Sequence, residues 1–219
     1  DDDVAGFTIA ETGGSTSVDE SGTTDTFTIV LNAQPSSDVV LSVTSGDTGE
    51  ATVTGTITFT SANWDTAQTV TVTGVDDDII DGTITSTTTI TVVDAISDDN
   101  FDSVSDQTVS VTTTDDDVAG FTIAETDGST SVGESGTTDT FTVVLDAEPD
   151  SDVVLSISSS DTGEATVTSA LTFTSANWDT PQTVTVTGAD DDLIDGTVTS
   201  TITVSVNDGS SDNNFDAVS

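Results

Sequence analysis

Three acidic runs in the first half of this 219-residue chain have the residue types and spacing to hold a divalent cation. The first centres on Glu20, in Val18-Asp19-Glu20-Ser21-Gly22. The second is Asp76-Asp77-Asp78-Ile79-Ile80-Asp81-Gly82, and the third is Asp115-Asp116-Asp117. Two like charges about 4 Å apart repel by about 4 kcal/mol at an effective dielectric near 20. Carboxylates that converge must therefore take up protons, splay apart or bind metal. Calcium accepts about 6–8 oxygen ligands in flexible geometry and suits such a cluster better than magnesium, which holds its water tightly. The alternative is that these aspartates are solvated turn formers. Three in a row are more than a turn needs, and the balance favours metal.

Composition narrows the remaining functions. The chain has 41 Asp and Glu residues and no Lys, Arg or His, for a formal charge of -41. Nucleic-acid binding rests on basic side chains and is excluded. An anionic membrane would repel the same surface, so its natural partners are cations. No His, Cys, Lys or Tyr is present, so a Ser–His–Asp triad or an imidazole–thiolate zinc site cannot be assembled. A carboxylate pair could still hydrolyse a glycosidic bond, but the expectation is that the chain is not an enzyme. No run of about twenty apolar residues is present for membrane insertion. The chain opens abruptly on Asp1-Asp2-Asp3 without a visible signal peptide, and reads as a segment of a longer protein. Acidity, repetition and the absence of Cys and Lys point to a bacterial protein at the cell surface or outside the cell.

The elements that must position the acids repeat. Phe7 meets Phe121, Trp64 meets Trp178, Asp77 meets Asp191 and Phe101 meets Phe215, each at an offset of 114 residues. The chain is thus a tandem array of one module, with repeat 1 over 1–114 and repeat 2 over 115–219. Within a module, strand signals dominate. Phe7 and Ile9 mark a first strand, and Phe27, Ile29 and Leu31 share one face of the next. Val39, Leu41 and Val43 follow, then a region marked by Val53, Ile57 and Phe59, then Val70 with Val72. A stretch from Thr83 to Val93 places Ile84, Ile90 and Val92 in the core, and Val109 with Val111 closes the module. About seven short strands per module predict two tandem immunoglobulin-like β-sandwiches, an all-β fold. Thr suits the solvent face of such strands. Strand parity allows all three acidic runs to sit at one pole.

The order Val-x-Glu-Ser-Gly, then Val-Thr-Val-x-Gly-x-Asp-Asp-Asp-x-x-Asp-Gly, then a closing strand into Asp-Asp-Asp, resembles the Calx-beta domain family over the whole repeat. Its members are immunoglobulin-like sandwiches of exchangers, integrin-associated chains and bacterial surface proteins. Those of the calcium-binding type hold ions at these three places. The resemblance implies Glu20, Asp76, Asp77, Asp81, Asp115, Asp116 and Asp117 as Ca2+ ligands of the first module. For the second it implies Glu134, Asp190, Asp191 and Asp195, with the closing acids falling beyond Ser219. Asp1, Asp2 and Asp3 would complete the site of a preceding module.

Three features remain. Asp98-Asp99-Asn100-Phe101-Asp102 reads equally as a second calcium loop or as a solvated loop anchored by Phe101. Trp64 and Trp178 could stack on sugars as a carbohydrate-binding surface, or plug one end of each sandwich. The residues matching Asp106 to Thr114 are absent from the second copy, which leaves that module without its last strand and with an unpaired edge. Either a neighbouring subunit donates the strand, building a fibre, or the segment is trimmed away. The expectation is a calcium-rigidified structural repeat of an extracellular adhesin or surface fibre.

Overall fold

The computed structural model describes residues 2–194 and 196–218. The chain is all-β and divides into two compact units. One comprises the residues through Asp77 together with Asp81–Asp116. The other comprises Asp78–Ile80 with the residues from Asp117 onward. Among the described residues, no helix is long and apolar enough to cross a membrane.

In the first unit the strands are β1 (Phe7–Glu11), β2 (Thr16–Asp19), β3 (Thr24–Leu31), β4 (Val39–Ser45) and β5 (Ala51–Val53). They continue as β6 (Thr56–Phe59), β7 (Gln68–Gly74), β8 (Ile84–Val92) and β9 (Gln107–Thr114). One sheet runs β1-β3-β7-β5 and the other β2-β9-β8-β4-β6. The pairings are antiparallel except β2 with β9, which is parallel. The two sheets enclose one core, in which Phe27, Ile29, Leu41, Phe59, Val70 and Val111 are buried. Each such aliphatic or aromatic side chain contributes about 1.5–3 kcal/mol on burial. The period-two pattern is visible in β3, where Phe27, Ile29 and Leu31 are buried while Thr26, Thr28 and Val30 are only half-buried. Trp64 lies partly buried against this core, and its carbonyl accepts from Leu31 N at 3.1 Å.

Three local expectations are corrected. The region marked by Val53, Ile57 and Phe59 is two strands in different sheets, because the chain crosses between sheets at Thr54-Gly55. Strand β2 was not anticipated, since Thr16-Ser17-Val18-Asp19 offers a single apolar residue. Ile84 is half-buried, and Thr88 occupies a buried position on the same strand.

The second unit repeats most of this plan: β10 (Phe121–Glu125), β11 (Thr138–Leu145), β12 (Val153–Ser159), β13 (Ala165–Val167), β14 (Ala170–Phe173), β15 (Gln182–Gly188) and β16 (Ile202–Val206). Its sheets are β10-β11-β15-β13 and β14-β12-β16. Phe141, Leu155, Phe173, Val184 and Phe215 are buried in its core, with Trp178 packed against them. Counterparts of β2 and of the first half of β8 are not strands here. In the first unit Thr16–Asp19 and Ile84–Thr87 take their ladder partners from β9. Among the described residues no equivalent of β9 is present to pair with either segment.

One close approach fixes the end of the first sheet. Gly74, the last residue of β7, lies against the carbonyl of Asp19, and a Cβ at Gly74 would overlap that oxygen. Gly188 meets the carbonyl of Gly133 in the same way. A backbone atom cannot rotate aside, so Gly74→Ala is expected to cost about 1–3 kcal/mol as overpacking. Urea unfolding checks this, and a midpoint equal to the parent chain's would contradict it.

Candidate metal site

Strand direction gathers the acids of the first unit at one pole. Parallel pairing brings the ends of β2 and β9 together, with Asp19 opposite Thr114. Glu20 therefore starts beside the Asp115 run, and its amide donates to Thr114 O at 3.1 Å. Ile84 opposite Thr113 puts the start of β8, and Asp81 before it, at the same end. Ala51 opposite Gly74 does likewise for β5 and β7, so Glu50 precedes one strand where Asp76 and Asp77 follow the other. Gly82 N donates to Asp115 Oδ2 at 2.7 Å, tying the Asp76–Gly82 turn to the end of β9.

The centre of the pole is a buried carboxylate pair. Glu20 is 1 % exposed and Glu50 7 %. Oε2 of each is buried without a hydrogen-bond partner. Carboxylate oxygens of Glu20, Glu50 and Asp81 lie within 4.8 Å of one another. Oxygens that share one calcium at about 2.4 Å can be no more than about 4.8 Å apart, so this spacing fits a single ion. Burial first, and then the charges of Asp81, Glu50, Asp115 and Asp77, push the Glu20 carboxyl up to about 7. Burial also raises Glu50, helped by Asp81, Asp47 and Asp77 and opposed by a hydrogen bond with Glu20. Burial and the surrounding like charges thus favour the protonated form of Glu20.

Of the acids expected at this site in the first module, Glu20, Asp77, Asp81 and Asp115 converge. Asp77 and Asp115 are half-buried and Asp81 is exposed. Asp76 and Asp116 are exposed, and lost hydration, then the charges of Asp19, Asp76 and Asp115, raise the Asp116 carboxyl. Asp117 belongs to the second unit and is half-buried. In that unit Glu134 is half-buried, while Asp190 and Asp191 are exposed. Among the described residues, the second unit by itself brings no three carboxylates this close. Asp2 and Asp3 are exposed. Asp1 and Asp195 lie outside the described residues.

Sequence reasoning missed Glu50. Asp47-Thr48-Gly49-Glu50 reads as an ordinary turn, and Asp47 does accept from Gly49 N at 3.1 Å. Its recurrence as Glu164 immediately before another Ala-Thr-Val strand was the available signal.

The Asp98 loop has a different role. Its carboxylate is buried and accepts from Ser36 Oγ (2.7 Å), Ser36 N (2.6 Å) and Ser37 N (3.0 Å). It also accepts from Asn100 N (3.0 Å) and Asn100 Nδ2 (2.8 Å). These donors, the Ser36 hydroxyl foremost, hold its carboxyl well below the usual range. Asp212 takes the equivalent bonds from Ser151 N and Asn214 N, over a buried Phe215. Protein donors occupy both oxygens of Asp98, so the loop is a structural anchor.

No protein-family model and no curated protein sequence matches the chain. Solved structures that the chain matches include the calcium binding domain CBD12 of CALX1.1, at 15% identity, covering 90% of this chain and 79% of that one, with a TM-score of 0.34. The apo-form Calx CBD1 domain is 15% identical, with coverage of 51% and 98% and a TM-score of 0.37. Domains 5-6 of the S-layer protein SbsC are 24% identical, with coverage of 90% and 89% and a TM-score of 0.30. The class defined by the fold is a tandem, all-β array of immunoglobulin-like sandwiches.

The buried pair gives a signed pH dependence. The folded-state value for Glu20 lies above its ordinary 4.5, so the folded chain binds the extra proton. That contribution is full below about pH 4.5 and is lost as pH rises through about 7. With chelator present, urea unfolding should show stability falling across this window, and Glu20→Gln should flatten the fall. Stability that rises from pH 5 to pH 7.5 in metal-free solution would contradict this.

Proposed function

We propose that the chain is a calcium-rigidified structural repeat of a bacterial extracellular adhesin or surface fibre, without catalytic activity. The observation that carries this reading is the buried pair Glu20 and Glu50, with Oε2 of each unpartnered, in a chain that has no basic side chain. A buried carboxylate oxygen without a partner is costly. Here the only counter-charge within reach is a proton or a cation from solution.

The donor set supports calcium. It consists of carboxylate oxygens alone, drawn from several loops, and hard cations with high coordination numbers take such ligands. Glu20, Glu50 and Asp81 would hold the ion, with Asp77 and Asp115 adding charge beside it. Bound calcium would cancel the repulsion among the loops that follow β2, β7 and β9, and so stiffen that pole. Near-identical modules also suit a spacer better than an enzyme. The second reading, a carbohydrate-binding module using Trp64 and Trp178, draws less support, because both indoles pack against their cores.

Calcium should raise the melting temperature of the first unit at pH 7.5, and chelation should reverse the gain. Glu20→Gln and Glu50→Gln should each weaken calcium binding at least tenfold by calorimetry, whereas Asp19→Asn should leave it nearly unchanged. Superimposable melts with calcium and with chelator would overturn the proposal.

A further inference from the structure

Three residues of the first repeat, Asp78, Ile79 and Ile80, belong to the second unit. They form a strap within it. Asp78 O accepts from Glu148 N at 2.7 Å, and Ile79 makes a parallel bridge with Glu148. Ile80 O accepts from Asn214 Nδ2 at 3.0 Å, and Ile80 packs against the second unit's core. Both isoleucines are half-buried.

The two repeats, compared position by position, show that the segment has no role in the core of its own module. Its counterpart 114 residues on is Asp192-Leu193-Ile194, where Leu193 is 69% exposed and Ile194 105%. The surface that receives the strap differs in the matching sense. Ala147 is buried and Glu148 half-buried, whereas their counterparts Ala33 and Gln34 are half-buried and exposed. Asn214 Nδ2 turns to the strap, whereas Asn100 Nδ2 stays on Asp98 Oδ1 at 2.8 Å. Two adjacent isoleucines are out of place in an acidic turn. Docking on the second unit accounts for them.

In sequence the strap is bounded by acids of the first unit's pole. Asp77 precedes Asp78, and Asp81 follows Ile80. The Asp81 carboxylate lies in the 4.8 Å cluster with Glu20 and Glu50. A cation held there fixes the chain one residue beyond the strap, so less conformational entropy is left to lose when the strap docks. We propose that Asp78–Ile80 couples cation binding at the first unit's acid pole to the stability of the second unit. The proposal rests on the calcium reading of that pole and names the segment that carries its effect onward. Such coupling is reciprocal: calcium tightens the strap, and a docked strap tightens calcium by the same factor. Ile79 and Ile80 are positioning residues, since neither side chain offers a ligand atom.

The test uses the whole chain, with calcium chloride as the probe. In the parent chain, calcium should slow exchange of the Glu148 amide, which donates to Asp78 O, at least about fivefold. In the double variant Ile79→Ser/Ile80→Ser that exchange should be fast and insensitive to calcium. Calorimetry should show this variant binding calcium at least about fivefold more weakly, although every carboxylate is retained. Asn214→Ala, which removes the bond to Ile80 O and keeps the strap intact, should move both readouts in the same direction. The matched pair Leu193→Ser/Ile194→Ser should change neither. No calcium binding by the parent chain would overturn the metal reading, and the proposal with it. Binding that leaves Glu148 exchange unchanged, or undiminished affinity in the strap variant, would overturn the proposal alone.

Discussion

Carboxylates forced together in a chain that owns no positive side chain are the constraint around which the first unit is built. In most proteins a buried acid meets an Arg or Lys, or a cluster of amide donors. Asp98 shows the amide solution here, with five donors from Ser36, Ser37 and Asn100 on its two oxygens. Glu20 has no such shell around Oε2, nor does Glu50. The same chain thus solves one burial with hydrogen bonds and leaves the other to a proton or an ion.

Strand β9 links that pole to the rest of the sandwich. Its parallel partner β2 leads into Glu20, its antiparallel partner β8 begins after Asp81, and its own end leads into Asp115. Val109 and Val111 fill the core below. Packing and charge clustering therefore depend on one eight-residue segment. In the second unit, where no counterpart of β9 lies among the described residues, the segments matching β2 and the first half of β8 are not strands, and Glu134 is half-buried where Glu20 is buried.

Much of this was legible from residue types. Strands such as Thr24–Leu31 and Val39–Ser45 announce themselves by alternation, and the repeat shows the architecture to be modular. The convergence of Glu20, Asp77, Asp81 and Asp115 followed from acids placed just before or after strands. What was not legible depended on tertiary pairing. Strand β2 has one apolar residue and is a strand only because β9 lies beside it. Glu50 looks like any turn acid until β5 pairs with the end of β7.

The most direct test is to count protons released when calcium is added to the metal-free chain in weakly buffered solution. If an ion displaces the proton held by Glu20, whose carboxyl is pushed up to about 7, binding at pH 7 should release a measurable fraction of a proton. That release should vanish near pH 9 and in Glu20→Gln. Calcium binding with no proton release at pH 7, or release that survives in Glu20→Gln, would contradict the account.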